Sequence, residues 1–198
     1  MNNFKFKKSW TIWIIIVLVL LTALGSYNKL VKLEEGVDSQ WANVENVYQR
    51  RADLIPNLVN TVKGAANFEK ETLTEVINAR AKATSVNIDP SNLSPQAIQQ
   101  FQQAQDGLSS ALGRLMVVVE RYPELKATQN FMELQAQLEG TENRIAVERR
   151  RFNETARSFN TKLRSFPTNL FNKMYGFEKK GYFEAKEGAD VAPTVSFE

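Results

Sequence analysis

The side chains able to carry chemistry in this 198-residue chain are carboxylates, lysines, arginines and hydroxyls, because the sequence contains no cysteine and no histidine. Thiolate nucleophiles, Cys/His zinc sites and every histidine-dependent triad are thereby excluded. An enzyme built from what remains would use paired carboxylates, and Glu34/Glu35, Glu69/Glu71, Glu142/Glu148 and Glu184/Glu187 are the candidates. None is flanked by a glycine-rich loop or a strand-end turn that would aim it at a substrate, and no phosphate-binding glycine loop is present. The carboxylates read as surface or structural groups, and the sequence predicts no catalytic residue, no cofactor and no metal.

Two arginine-bearing stretches remain. Arg144, Arg149, Arg150, Arg151 and Arg157 could meet anionic lipid or nucleic acid, but Glu142, Glu148 and Glu154 are interleaved at helical ion-pair spacing, which favours a solvated face. With a net charge of +3 and acidic residues throughout, the chain does not read as a nucleic-acid binder. Arg51 is different. Val37, Trp41, Val44, Tyr48, Ile55, Leu58 and Val62 recur at steps of three and four, and Arg51 occupies the place where that stripe calls for an apolar residue. In an up-and-down bundle its level matches Glu142 to Glu148. The expectation is a partly buried ion pair of Arg51 with Glu148 or Glu142, helped by Asp53 and Asn57; the alternative is an arginine that snorkels to solvent.

The elements that position these residues begin at a membrane. Lys5, Lys7 and Lys8 precede an uncharged apolar run from Trp10 to Leu24. Flanking residues extend it toward the roughly 20 that a spanning helix needs, with Trp10, Trp13 and Tyr27 as interfacial anchors. A cleaved signal peptide ending near Ala23-Leu24-Gly25 is the competing reading. The lysine bias places the N-terminus in the cytoplasm and the bulk of the chain outside it, at a bacterial plasma membrane.

Beyond the span, Pro56 is expected to kink the first helix or to start a new segment capped by Asp53. Gly64 to Asn67 reads as a turn, with Asn67 capping a second helix from Phe68 to about Ala83; one bent helix is the alternative. After a loop, Ser94-Pro95 opens a third helix through Ile98, Phe101, Leu108, Leu112, Leu115, Met116 and Val119, with Gln99, Gln100, Gln102, Gln103 and Gln105 as its solvated face. Tyr122-Pro123 ends it. In the last long helix Phe131, Leu138, Ile145, Phe152, Phe159 and Phe166 recur every seven residues, which implies coiled-coil-like packing up to Pro167. The fold class is therefore all-α: one transmembrane helix, then an antiparallel up-and-down four-helix bundle. The divisions are a basic segment (1–9), a transmembrane helix (10–26), a bundle (27–183) and a flexible tail (184–198).

Particular strings carry more information than their periodicity: Tyr27-Asn28-Lys29-Leu30-Val31, Gln49-Arg50-Arg51-Ala52-Asp53-Leu54-Ile55-Pro56-Asn57-Leu58-Val59, Val62-Lys63-Gly64, Glu120-Arg121-Tyr122-Pro123-Glu124-Leu125-Lys126-Ala127, Thr141-Glu142-Asn143-Arg144-Ile145-Ala146, Phe166-Pro167 and Tyr182-Phe183-Glu184. Together they closely resemble the LemA family of bacterial membrane proteins, in order and over nearly the whole chain. The resemblance implies a membrane helix followed by a four-helix up-and-down bundle and brings no enzymatic activity. Some relatives act in magnetosome membrane formation, and relatives are often encoded near membrane-associated metalloprotease-like or TPM-domain proteins, which the resemblance offers as partners. Ala65-Ala66-Asn67 departs from the aromatic, often histidine-bearing turn of the family.

The functional expectation is a non-enzymatic scaffold or adaptor at the cell envelope, working through self-association and contact with the bilayer or a protein partner. Phe171, Met174, Tyr175 and Phe177 are the candidate contact residues. A ligand or peptide sensor is disfavoured because only about eight residues precede the membrane segment. A cryptic carboxylate hydrolase is the third reading.

Overall fold

A computed structural model describes residues 8–64 and 68–185. These residues form six α-helices and no strand: α1 (Lys8–Lys63), α2 (Lys70–Ser85), α3 (Pro95–Val119), α4 (Pro123–Lys126), α5 (Gln129–Arg164) and α6 (Thr168–Tyr175). The expected tail lies almost wholly outside the described residues, as does Asn67; α2 opens instead at Lys70, with Glu69 in the cap position.

The boundary drawn between membrane segment and bundle falls inside one helix. α1 runs unbroken for 56 residues, about 84 Å at 1.5 Å per residue, so the apolar span and the first core stripe are one rigid element. Gly25 interrupts neither, since a lone helical glycine costs only about 1 kcal/mol.

Of the two outcomes expected for Pro56, the new segment is excluded, because the residue lies within α1. Proline has no N–H to offer the carbonyl four residues back, here that of Ala52. Arg80 of α2 supplies the missing donor: its Nε donates to the Ala52 carbonyl at 2.8 Å. Asp53 caps nothing, and its Oδ1 accepts from Gln49 Nε2 one turn away.

α1 packs along α5, and α2 packs against α3. Ascending positions of α1 meet descending positions of α5: Gly36 faces Thr155, Gln40 bonds Glu148, and Arg51 bonds Glu142. The heptad residues Phe131, Leu138, Ile145, Phe152 and Phe159 are all buried, whereas Phe166 is 77% exposed. Its place in the repeat falls beyond the end of the helix at Arg164, so the period no longer dictates its direction.

Two apolar clusters fill the interior. One gathers Leu30, Val37, Trp41, Val44, Tyr48, Phe101, Ile145, Phe152, Phe159 and Phe183. The other gathers Ile55, Leu58, Val62, Val76, Leu108, Leu115, Phe131 and Leu138. On α1 the division falls between Tyr48 and Ile55, on α3 between Phe101 and Leu108, and on α5 between Ile145 and Leu138. A polar layer occupies that gap.

Candidate functional site

Arg51 is the centre of the layer and is 2% exposed. Its Nη1 donates to Glu142 Oε2 at 3.0 Å and to Ser109 Oγ at 2.8 Å. Its Nη2 donates to the Gln105 carbonyl at 3.2 Å and to Gln105 Oε1 at 2.7 Å. The guanidinium also lies over the Tyr48 ring, 5.0 Å from its centroid. Gln105 in turn donates from Nε2 to the Ala83 carbonyl of α2 at 3.2 Å. α1, α2, α3 and α5 are thus tied at one level by a single cation and one amide. A guanidinium suits this place because its rigid planar fork carries donors enough for all four bonds, more than an ammonium has.

Of the residues expected around Arg51, the structure brings in Glu142 and leaves out the rest. Glu148 accepts from Gln40 Nε2 at 2.6 Å and from Arg151 at 2.8 Å, because it sits nearly two turns from Glu142, at the level of Gln40. Asp53 and Asn57 are exposed; both fall off the stripe that faces α3 and α5. Ser109 and Gln105 were missed, and Gln105 corrects the expectation of a uniformly solvated glutamine face, being 6% exposed. Its signal was available: Gln105 falls four residues after Phe101 and three before Leu108, on the apolar stripe of α3.

A second polar arrangement holds the segment after α6. α6 ends at Gly176, whose φ of +74° gives the left-handed cap that glycine adopts without steric cost. The chain then runs back over α3 and α5 as an irregular strap, Phe177–Ala185, held by three side-chain amides. Asn160 donates from Nδ2 to the Lys180 carbonyl at 2.9 Å and accepts the Lys180 N–H at 3.0 Å. Asn153 brackets Phe183 in the same way, at 2.8 and 2.9 Å, and Gln102 brackets Glu184 at 3.2 and 2.9 Å. Each amide presents a donor and an acceptor side by side, the pairing a neighbouring β-strand would offer. Gly181 donates to the Leu93 carbonyl at 2.8 Å, and a Cβ there would come within 2.8 Å of Pro95 Cα.

The strap also carries charge inward. Lys180, 4% exposed, pairs with Glu34 of α1 at 2.7 Å. Beside them burial pushes the Asp38 carboxyl above its ordinary range; Lys180 pulls the other way, and Glu34 and Glu35 add to the rise. Phe183 stacks with Trp41, 6.1 Å between centroids, under the Arg149 guanidinium at 4.8 Å. The arginine run of α5 is therefore divided: Arg149 serves the strap, Arg151 pairs with Glu148, and Arg144, Arg150 and Arg157 are exposed.

The other expected sites resolve as follows. Trp10 and Trp13 are 65% and 66% exposed on the apolar surface of α1. Tyr27 meets α6 and the strap, with ring centroids 5.4 Å from Tyr175 and 5.6 Å from Phe177. Tyr175 and Phe177 are thus engaged within the chain and are not free contact residues; Phe171 is half-buried against Tyr175, while Met174 is 74% exposed. Among the candidate carboxylates, Glu34, Glu69, Glu142 and Glu148 are held by ion pairs, and Glu187 lies outside the described residues. No three Asp or Glu converge on a metal-sized site among the described residues.

The LemA family model matches residues 40–197, which takes in the polar layer and the strap and begins beyond the apolar span. The chain belongs to the LemA family. Its curated relatives include the Magnetosome protein MamQ of Magnetospirillum gryphiswaldense, 27% identical over 89% of this chain and 71% of the relative. Magnetosome protein MamQ 1 of Paramagnetospirillum magneticum matches to the same extent. Protein LemA of Metamycoplasma hominis is 25% identical over 83% of this chain and 71% of its own length. Within this LemA chain, one stretch of α1, near the N-terminus, is long and apolar enough to cross a membrane.

Proposed function

We propose that this protein is a single-pass, membrane-anchored scaffold or adaptor of the bacterial envelope, without enzymatic activity. Its body is an antiparallel up-and-down four-helix bundle of α1, α2, α3 and α5, which acts through self-association and through a membrane or protein partner. A membrane-associated metalloprotease-like or TPM-domain protein is the partner class that the family resemblance favours. The N-terminus lies in the cytoplasm and the bundle on the other side of the plasma membrane.

The observation that carries this reading is the use of buried polar groups. Arg51, Gln105, Lys180 and Asn160 all bond across from one helix to another or from helix to strap. Buried polar residues of this kind set register and partner choice in helical assemblies. The relatives named as magnetosome proteins carry no enzyme name, which agrees with this reading. Proximity labelling in native membranes from a tag on the bundle tests the reading. Labelled envelope membrane proteins are expected; labelling confined to cytoplasmic proteins would reverse the orientation, and activity abolished by Glu142→Gln in a folded protein would revive a hydrolase.

A further inference from the structure

α6 is short, yet its two faces differ sharply. Leu170 and Met174, one turn apart on α6, are 66% and 74% exposed, and Phe166, in the turn just before the helix, is 77% exposed. The opposite face holds Thr168, fully buried, and Tyr175, whose ring meets Tyr27 of α1. Lys173 on α6 and Arg164 at the end of α5 are exposed.

The height of α6 along α1 is fixed by one bond. Tyr175 Oη donates to the Ala23 carbonyl at 2.7 Å, across 152 residues of sequence. Ala23 belongs to the uncharged stretch between Lys8 and Lys29, and Ser26, nearly one turn on, is buried. α6 therefore sits beside the last turns of the apolar span. If those turns lie in a leaflet, α6 cannot be distant from it, because α1 is a continuous helix and Tyr175 is bonded to it.

We infer that α6 is an interfacial foot: Phe166, Leu170 and Met174 enter the headgroup and upper acyl region of the leaflet on the bundle side. The inference rests on the reading of α1 as a membrane anchor and adds a second, non-spanning contact to it. Tyr27 and Tyr175 take the position favoured by aromatic side chains with one apolar and one wet end. Arg164 and Lys173 reach outward to anionic headgroups. Two points of attachment, one spanning and one lateral, limit the tilt of the protein relative to the membrane normal, which a lone helix leaves free.

The absence of cysteine permits single nitroxide labels at Leu170→Cys, Met174→Cys, Leu18→Cys in the span, and Val117→Cys, which is 71% exposed on α3. The full chain is placed in nanodiscs of phosphatidylethanolamine and phosphatidylglycerol, and accessibility to oxygen and to a water-soluble nickel chelate is measured. The ratio of oxygen to nickel accessibility should be several-fold higher at 170 and 174 than at 117, and lower than at 18. Ratios at 170 and 174 equal to that at 117 overturn the foot while a high ratio at 18 leaves the anchor standing. Low accessibility to both reagents at 170 and 174 overturns it in favour of a second copy covering these residues. A ratio at 18 equal to that at 117 removes the anchor, and the foot with it.

Discussion

Arg51→Ala is the perturbation that most directly probes the polar layer. The arginine makes four hydrogen bonds, two of them to Gln105. Its partners are unequal. Glu142 is 46% exposed at its side chain, so water replaces the guanidinium there at small cost. Gln105 is 6% exposed, and its Oε1 is left inside the bundle without that donor. An unsatisfied buried acceptor costs about 1–3 kcal/mol, and the lost arginine stem adds a packing term; together these place Arg51→Ala at about 2–4 kcal/mol. Glu142→Ala keeps the Ser109 and Gln105 bonds but leaves the buried Arg51 cation without its counter-charge, and should cost about 3 kcal/mol. The assay is reversible unfolding in detergent micelles for both single variants and the double variant. A coupling of about 0.5–3 kcal/mol is expected for groups in direct contact. A cost below about 1 kcal/mol for Arg51→Ala, or no coupling to Glu142, would refute the layer as a register device.

Three further outcomes follow from individual contacts. Arg80→Ala should cost about 1 kcal/mol by leaving the Ala52 carbonyl unpaired, and the loss should shrink in a Pro56→Ala background, where residue 56 regains an N–H; equal losses in both backgrounds, read by thermal unfolding, would dissociate Arg80 from the proline. Gly181→Ala forces a Cβ to within 2.8 Å of the Pro95 backbone, so amide exchange at residues 180–184 should accelerate while exchange in α5 stays slow, and unchanged protection would contradict the close approach. The raised pKa of Asp38, whose ordinary value is 3.8, means that the folded protein holds this proton more tightly than the unfolded chain. That contribution is complete below 3.8 and is lost as pH rises through the raised folded value. Asp38→Asn should accordingly raise the melting temperature at neutral pH and leave it unchanged in acid, and a lowered Tm at neutral pH would show that the pairing with Lys180 outweighs burial.

Much of the helical architecture was legible because helix formation here follows local pattern. The seven-residue repeat of α5 placed five of its six positions in the interior, and the Ser94-Pro95 start of α3 is the capped start observed. Arg51 stood out for the same reason, as a cation on an apolar stripe. What stayed hidden depends on pairing between distant residues. Pro56 reads as a helix breaker until Arg80 is seen beside the carbonyl it orphans. Gln105 was obscured by its glutamine neighbours, which are chemically identical but divide between solvent, as Gln99, Gln100 and Gln103 do, and the strap, as Gln102 does. The strap carries no periodicity at all, and its three amide brackets join residues 20 to 82 positions apart, a spacing no local pattern records.

The absence of histidine and cysteine, with the strongest polar groups bonded into helix and strap contacts, makes architecture the common theme of the chain. If the polar layer and strap shape a surface for assembly, loosening them should change what the protein associates with before it changes anything else.

Crosslinking in native membranes, comparing the unaltered chain with Arg51→Ala at matched expression, measures this most directly. The unaltered protein should give discrete adducts with itself or with a membrane partner, and Arg51→Ala should lose them while remaining in the membrane. Monomer alone in the unaltered protein, with no co-captured partner, would contradict the scaffold.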